Sequence, residues 1–151
     1  MNKFFDQLEL NQTFKTPGRT ITETDVVMFA ALSGDYNEFH TNEVSSAKGA
    51  FGRRVAHGLL GLSISHGLIF RLGLFDLTGL GFLKVDDWRF KAPISIGDTI
   101  HVRMKVAGLR SSVTKPDRGI VDFLVEVVNQ DDVTVQEGIQ TIMMKKSDTT
   151  S

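Results

Sequence analysis

Ser33-Gly34-Asp35-Tyr36-Asn37-Glu38-Phe39-His40, then a basic glycine-bearing loop, then Val55-Ala56-His57-Gly58 at the head of a long apolar run, is the stretch on which the reading of this chain turns. A carboxylate and an imidazole stand five positions apart. On a continuous helix they would lie about 140° apart around the axis. They converge only if the chain turns between them, and Tyr36-Asn37 supplies turn chemistry. The first N–H groups of the helix opening near Gly58 lack helical partners and sit at the positive end of its dipole, so they suit an oxyanion.

Upstream, Thr22-Glu23-Thr24-Asp25 predicts a capped helix start, with Asp25 reaching back to the cap. The helix continues through Val26, Val27, Phe29, Ala30 and Leu32. Gly34 is placed to end it in the left-handed conformation. Asp35 then falls just outside a helix, at the start of a loop.

Downstream, a second helix is expected from about His57 to Phe75, apolar nearly all round, and such a helix is normally enclosed by other elements. The C-terminal half can enclose it. Leu83 and Val85 share one phase and Trp88 and Phe90 the other, which places a bulge at Asp86-Asp87. Residues 93–98 read as a turn. From Thr99 to Val106 the chain alternates strictly, with Ile100, Val102, Met104 and Val106 on one face and Thr99, His101, Arg103 and Lys105 on the other. A polar loop over 111–119, a strand over 120–128, a tight turn over 129–132 and a strand over 133–144 follow, with Gly138 as a candidate bulge. Short links between strands imply antiparallel neighbours. The fold class is α+β, one long buried helix held by a curved antiparallel sheet.

A chain of 151 residues is the size of one domain, here taken as residues 1–151 with a polar tail from Lys145 onward expected to fray. It has no cysteine, which removes thiolate nucleophiles, thiolate metal sites and disulfides. A formal charge of -1 offers no broad electrostatic footprint for nucleic acid or an anionic membrane. The N-terminal residues lack a secretory pattern, and Ser63, Ser65, His66 and Arg71 interrupt the apolar run over 59–75. The expectation is a cytoplasmic protein with neither nucleic-acid nor membrane partners.

Ser33 to His40, Ala47, Phe51-Gly52, Ala56-His57-Gly58-Leu59-Leu60 and the run from Trp88-Arg89-Phe90-Lys91-Ala92-Pro93 to Gly97-Asp98-Thr99-Ile100 resemble, in order and spacing, the MaoC-like dehydratases. These are the R-specific enoyl-CoA hydratases of the hot-dog fold, and the similarity runs from about Phe14 to the last strand. The resemblance implies an enoyl-CoA hydratase or 3-hydroxyacyl-CoA dehydratase that adds water reversibly across the double bond of an acyl thioester. Carried over residue by residue, Asp35 and His40 hold the catalytic water and the backbone N–H of Gly58 helps bind the thioester oxygen; Asn37 is read as a residue that orients the catalytic pair. It also implies no metal and no bound cofactor, coenzyme A entering as part of the substrate. The partners implied are the acyl-CoA thioester and a second copy, as a homodimer or a higher oligomer. Where the family usually reads Asn-Pro-Leu-His, this chain has Asn37-Glu38-Phe39-His40. Where it often places a small polar residue eight positions after the glycine, this chain has His66 beside Ser65.

Hydration needs a hydroxyl delivered to C3, a proton to C2, and donors for the charge gathering on the carbonyl oxygen. One water gripped by a base and an acid supplies both fragments to one face. Two other readings stay open: a hot-dog acyl-CoA thioesterase, since one fold hosts several reactions, and a non-catalytic acyl-CoA-binding protein. His57 reads as structural at the start of the helix and His101 as solvated on a polar strand face. His66 lies between a hydrogen-bonded core histidine and a catalyst. Lys48, Arg53 and Arg54 form a cationic cluster that either meets coenzyme A phosphates or is a solvated loop. Phe39, Phe51 and Phe70 are candidates for the pocket wall.

Overall fold

A computed structural model describes residues 2–147. Six strands form one antiparallel sheet: β1 (Thr13–Lys15), β2 (Arg19–Thr20), β3 (Gly79–Phe90), β4 (Thr99–Ser111), β5 (Arg118–Val128) and β6 (Thr134–Lys145). Their order is β1-β4-β5-β6-β3, with β2 also pairing to β4. The short links do make β4, β5 and β6 sequential antiparallel neighbours. β3 instead joins the far side of β6, which leaves it as an edge strand.

Alternation places the core where the sequence put it. Ile100, Val102, Met104 and Val106 of β4 are buried with Val121, Phe123, Val125 and Val127 of β5. Helix α1 (Glu23–Ser33) begins at the Thr22 cap, whose side chain accepts from the Asp25 N–H while the Asp25 carboxylate accepts from the Thr22 N–H. It ends at Gly34, φ 78°, a backbone that glycine adopts without strain. Two short helices follow in what reads from sequence as loop, α2 (Glu38–Thr41) and α3 (Glu43–Lys48).

The apolar helix, α4 (Gly58–Phe70), is shorter than expected. The chain turns after it through Gly73 at φ 65°, so Leu74 and Phe75 enter the core from a loop. Nor is it enclosed all round: Leu60, Gly61, Ser65, Leu68 and Ile69 are buried, while Leu59 and Phe70 lie on a face open in the single chain. The architecture is otherwise that of the hot-dog fold, a helix lying along an antiparallel sheet.

The bulge stands where Asp86-Asp87 predicted it, since Asp86 pairs with Ile139 and Arg89 with Glu137, and Asp87 has φ 47°. Gly138 is not itself bulged. It faces the bulge from β6, and a Cβ there would stand 2.7 Å from the Trp88 ring. The start of the tail is tied down: Lys146 N–H donates to the Asp117 carbonyl at 2.8 Å, and Ser147 bonds the Asp6 carboxylate through N–H and hydroxyl. The expected fraying over 148–151 lies outside the described residues. Among those described, no helix is long and apolar enough to cross a membrane.

Candidate active site

Asp35 follows directly on the Gly34 helix end, and its Oδ1 accepts from the Asn37 N–H at 3.2 Å, closing a tight turn. That turn starts α2, which carries His40 back toward Asp35. Asn37 serves this geometry with its main chain, while its side-chain oxygen caps α2 by accepting from the Phe39 N–H at 3.1 Å. Glu38 holds the segment in place of a proline ring: its carboxylate accepts from Asn42 at 3.2 Å and Ser45 at 2.5 Å. These bonds, the one from Ser45 foremost, keep its carboxyl below the usual carboxylate range.

His40 and Asp35 meet at 3.9 Å, Nε2 to Oδ2. The His40 Nδ1 lies 2.7 Å from the Val55 carbonyl, which can only accept, so Nδ1 carries the proton and Nε2 presents a lone pair. Two acceptors cannot bond one another, and at that separation they suit a single water donating one hydrogen to each.

The next wall is the start of α4. Its cap residue, His57, supplies no capping side-chain oxygen, and the Gly58 N–H has no partner among the described residues. Gly58 is also where a side chain would not fit, since a Cβ would stand 2.8 Å from the Phe90 ring. A cavity of about 310 Å³ opens here, walled by Phe39, His40, Phe51, Val55, Phe90 and Pro93. Phe70 is not part of it; that ring packs on His66 and Phe75 at the far end of α4. A larger cavity, about 640 Å³, lies where β1 meets β4 and contains neither Asp35 nor His40, so it is not the chemical centre.

Sequence reasoning gave His57 a structural role without placing it in the site. It is 2% exposed, its ring lies stacked on His40, and its Nε2 donates to the Asp35 carbonyl at 2.9 Å. Asp35, His40 and His57 each offer a donor atom within 4.8 Å of the others. Stacked imidazoles aim their in-plane lone pairs side by side, so they do not converge on an ion that must lie near the plane of each ring.

Gln136 on β6, a residue for which the sequence gave no signal, is 2% exposed and bridges the helix start to the sheet. Its Nε2 donates to the Gly58 carbonyl at 3.0 Å and its Oε1 accepts from Trp88 at 3.2 Å. Of the cationic cluster, Arg54 is committed to Glu23 at 2.9 Å and Glu43 at 2.5 Å, which leaves Lys48, at the end of α3, and Arg53, in the loop after it, exposed. His101 is less solvated than its strand face implied. Its Nε2 is buried without a partner among the described residues, and burial, then Lys15 and Arg103, lower its pKa.

The family model described as MaoC like domain matches residues 6–129. The (R)-specific enoyl-CoA hydratase of Rhodospirillum rubrum is 33% identical over 142 residues, 93% of this chain and 91% of that protein. Protein MaoC of Klebsiella aerogenes is 36% identical over 102 residues, 68% of this chain, and the match spans only 30% of that protein's length. Among solved structures, one described as a monoamine oxidase regulatory protein from Archaeoglobus fulgius superposes with TM-score 0.89 at 30% identity, covering 97% of each chain.

Proposed function

The chain belongs to the MaoC-like family, and from that premise we propose that it is an enoyl-CoA hydratase, working reversibly as a 3-hydroxyacyl-CoA dehydratase. The observation that carries this reading is the pair of acceptors, Asp35 Oδ2 and His40 Nε2, set 3.9 Å apart beside an uncapped helix start.

A water donating to both acceptors turns its oxygen lone pair away from them, toward a substrate. With the thioester oxygen on the Gly58 N–H, C3 is the electrophilic carbon that the water oxygen attacks. The electrons of the double bond move to the carbonyl oxygen, where the helix N-terminus stabilises them. The proton released to the pair then passes to C2, so both fragments arrive on one face. The bond His40 donates to the Val55 carbonyl fixes the His40 tautomer, and the bond from His57 fixes the Asp35 main chain. The chemistry uses no metal and no bound cofactor; coenzyme A is part of the substrate.

The working unit in this reading is a homodimer. β3 is a 12-residue edge strand with Phe82, Leu83 and Phe90 exposed, and such an edge invites pairing with another chain. A second copy across β3 would also cover the open face of α4.

Loss of the conjugated double bond of crotonyl-CoA, followed spectrophotometrically, tests the assignment. Asp35→Ala and His40→Ala are each expected to lower kcat by about 100-fold or more. Hydration that survives both substitutions overturns the reading, and release of free thiol in place of hydration makes the protein a thioesterase.

A further inference from the structure

β3 lies beside α4 along its length, with Phe90 against Gly58 at one end and Phe82 against His66 at the other. Between them is a cavity of about 300 Å³ walled by Leu62, Ser63, His66, Phe82 and Val85. The wall is apolar apart from Ser63 and His66, and the Ser63 hydroxyl is taken up by the Leu59 carbonyl at 2.8 Å. His66 is backed by a buried amide: its Nδ1 lies 3.1 Å from Oε1 of Gln140, which is 1% exposed. The Gln140 Nε2 has no partner among the described residues. Burying an amide that is only half satisfied costs free energy that an apolar pair at these two positions would avoid. With Nδ1–H donated to Gln140, the ring keeps Nε2 as an unused acceptor on a side chain that lines the cavity. The rings of Phe70 and Phe82, 4.8 and 4.4 Å from the imidazole, hold its orientation.

We propose that this groove receives the acyl chain and that His66, oriented by Gln140, accepts a hydrogen bond from a hydroxyl carried on that chain. The inference rests on the hydratase reading and adds to it a substrate class, hydroxylated acyl thioesters. Position matters as well. His66 is eight residues beyond Gly58, about 12 Å along the helix axis, and helical side chains lean back toward the N-terminus. The hydroxyl therefore belongs on the distal part of a medium-length chain, well clear of the double bond. A purely hydrocarbon tail would cover the Nε2 lone pair and leave it unpaired.

Equilibrium binding of saturated thioesters tests this without turnover. Unsubstituted acyl-CoAs of six, eight and ten carbons are compared by calorimetry with their ω-hydroxy counterparts. The wild-type protein is expected to bind one hydroxylated chain at least about tenfold tighter than the plain chain of the same length, and His66→Leu to reverse the order. Equal or weaker binding of every hydroxylated chain to the wild type overturns the proposal, whether or not the variant folds; so does a preference that survives His66→Leu. Hydration of crotonyl-CoA by the wild type separates the two failures. Its absence removes the hydratase reading, while hydration without hydroxyl preference removes only the acyl assignment.

Discussion

The imidazole of His57 is stacked on that of His40, with 3.7 Å between ring centroids and 26° between planes. The same ring ties the Asp35 main chain through Nε2, so one buried side chain sets the position of both candidate catalytic groups. His57→Phe retains a flat ring and loses the bond. It is expected to lower kcat about tenfold with little change in KM, because the pair is displaced while the substrate groove is untouched. His57→Ala should in addition cost about 3 kcal/mol of stability, through the cavity it leaves. Steady-state kinetics and thermal denaturation of the two variants check this; an unchanged kcat in His57→Phe would remove the positioning role.

Gly58 leads to a second prediction. Alanine there sets a methyl 2.8 Å from the Phe90 ring, and in the proposed reaction that methyl would stand where the thioester approaches. Removing one oxyanion donor costs about 100-fold or more in kcat, and blocking access to it is expected to do the same. Gly58→Ala combined with Phe90→Ala should recover the melting temperature, since the clash with the ring is gone, yet not the rate, since the methyl still faces the reactant.

Gly61 and Gln136 are coupled one turn further along α4. An added Cβ at Gly61 would collide with the Gln136 amide and stand 2.7 Å from Ile94. Gly61→Ala is expected to cost about 1–3 kcal/mol. Because the same amide holds the Gly58 carbonyl, a double-mutant cycle with Gln136→Ala should be clearly non-additive in urea denaturation. Additive losses would show that the two positions do not share a contact.

What could be read in advance follows the strength of the local signal. The bounds of α1 are written in Thr22 and Gly34, the faces of β4 in strict alternation, and the bulge in the phase change between Val85 and Trp88. β1 and β2 have three and two residues, too few for periodicity, and owe their conformation to pairing with β4. The end of α4 was hidden because Leu74 and Phe75 continue its apolar run from a loop. Asp35, His40 and Gly58 were legible through motif spacing; Asp35 and His40 stand 3.9 Å apart, and Gly58 follows His57, whose ring contacts both. Gln136 and Gln140 were not, because inward-facing amides on a strand are explained only by the helix atoms they meet.

A pH prediction follows from Asp25. Burial raises its carboxyl, and bonds from Arg19 at 2.7 Å and from Thr22 N–H at 2.8 Å outweigh that effect, leaving it below the usual range. A carboxyl that releases its proton more readily when folded adds stability above its unfolded pKa and loses it as pH falls through the folded value. Asp25→Asn is therefore expected to cost about 1 kcal/mol near neutral pH. The gap between wild type and variant should narrow steadily below the ordinary carboxylate range. Urea midpoints at about pH 7 and about pH 3 check the sign; a gap that widens in acid would contradict it.

The last prediction concerns the β3 edge. Leu83 is 47% exposed on a strand whose outer side has no partner among the described residues, and Phe82 and Phe90 beside it are exposed as well. Left bare, such an edge would template uncontrolled pairing, whereas a closed pair of strands related by a two-fold axis consumes it. Leu83→Lys places a charge there and is expected to shift the protein from dimer to monomer in sedimentation equilibrium. Hydration should fall with it, because opening the pair uncovers the groove between β3 and α4 that would hold the acyl chain in place for attack. The two readouts must move together: raising protein concentration should restore mass and rate in parallel. A monomeric variant with full activity would show that the groove is complete within one chain.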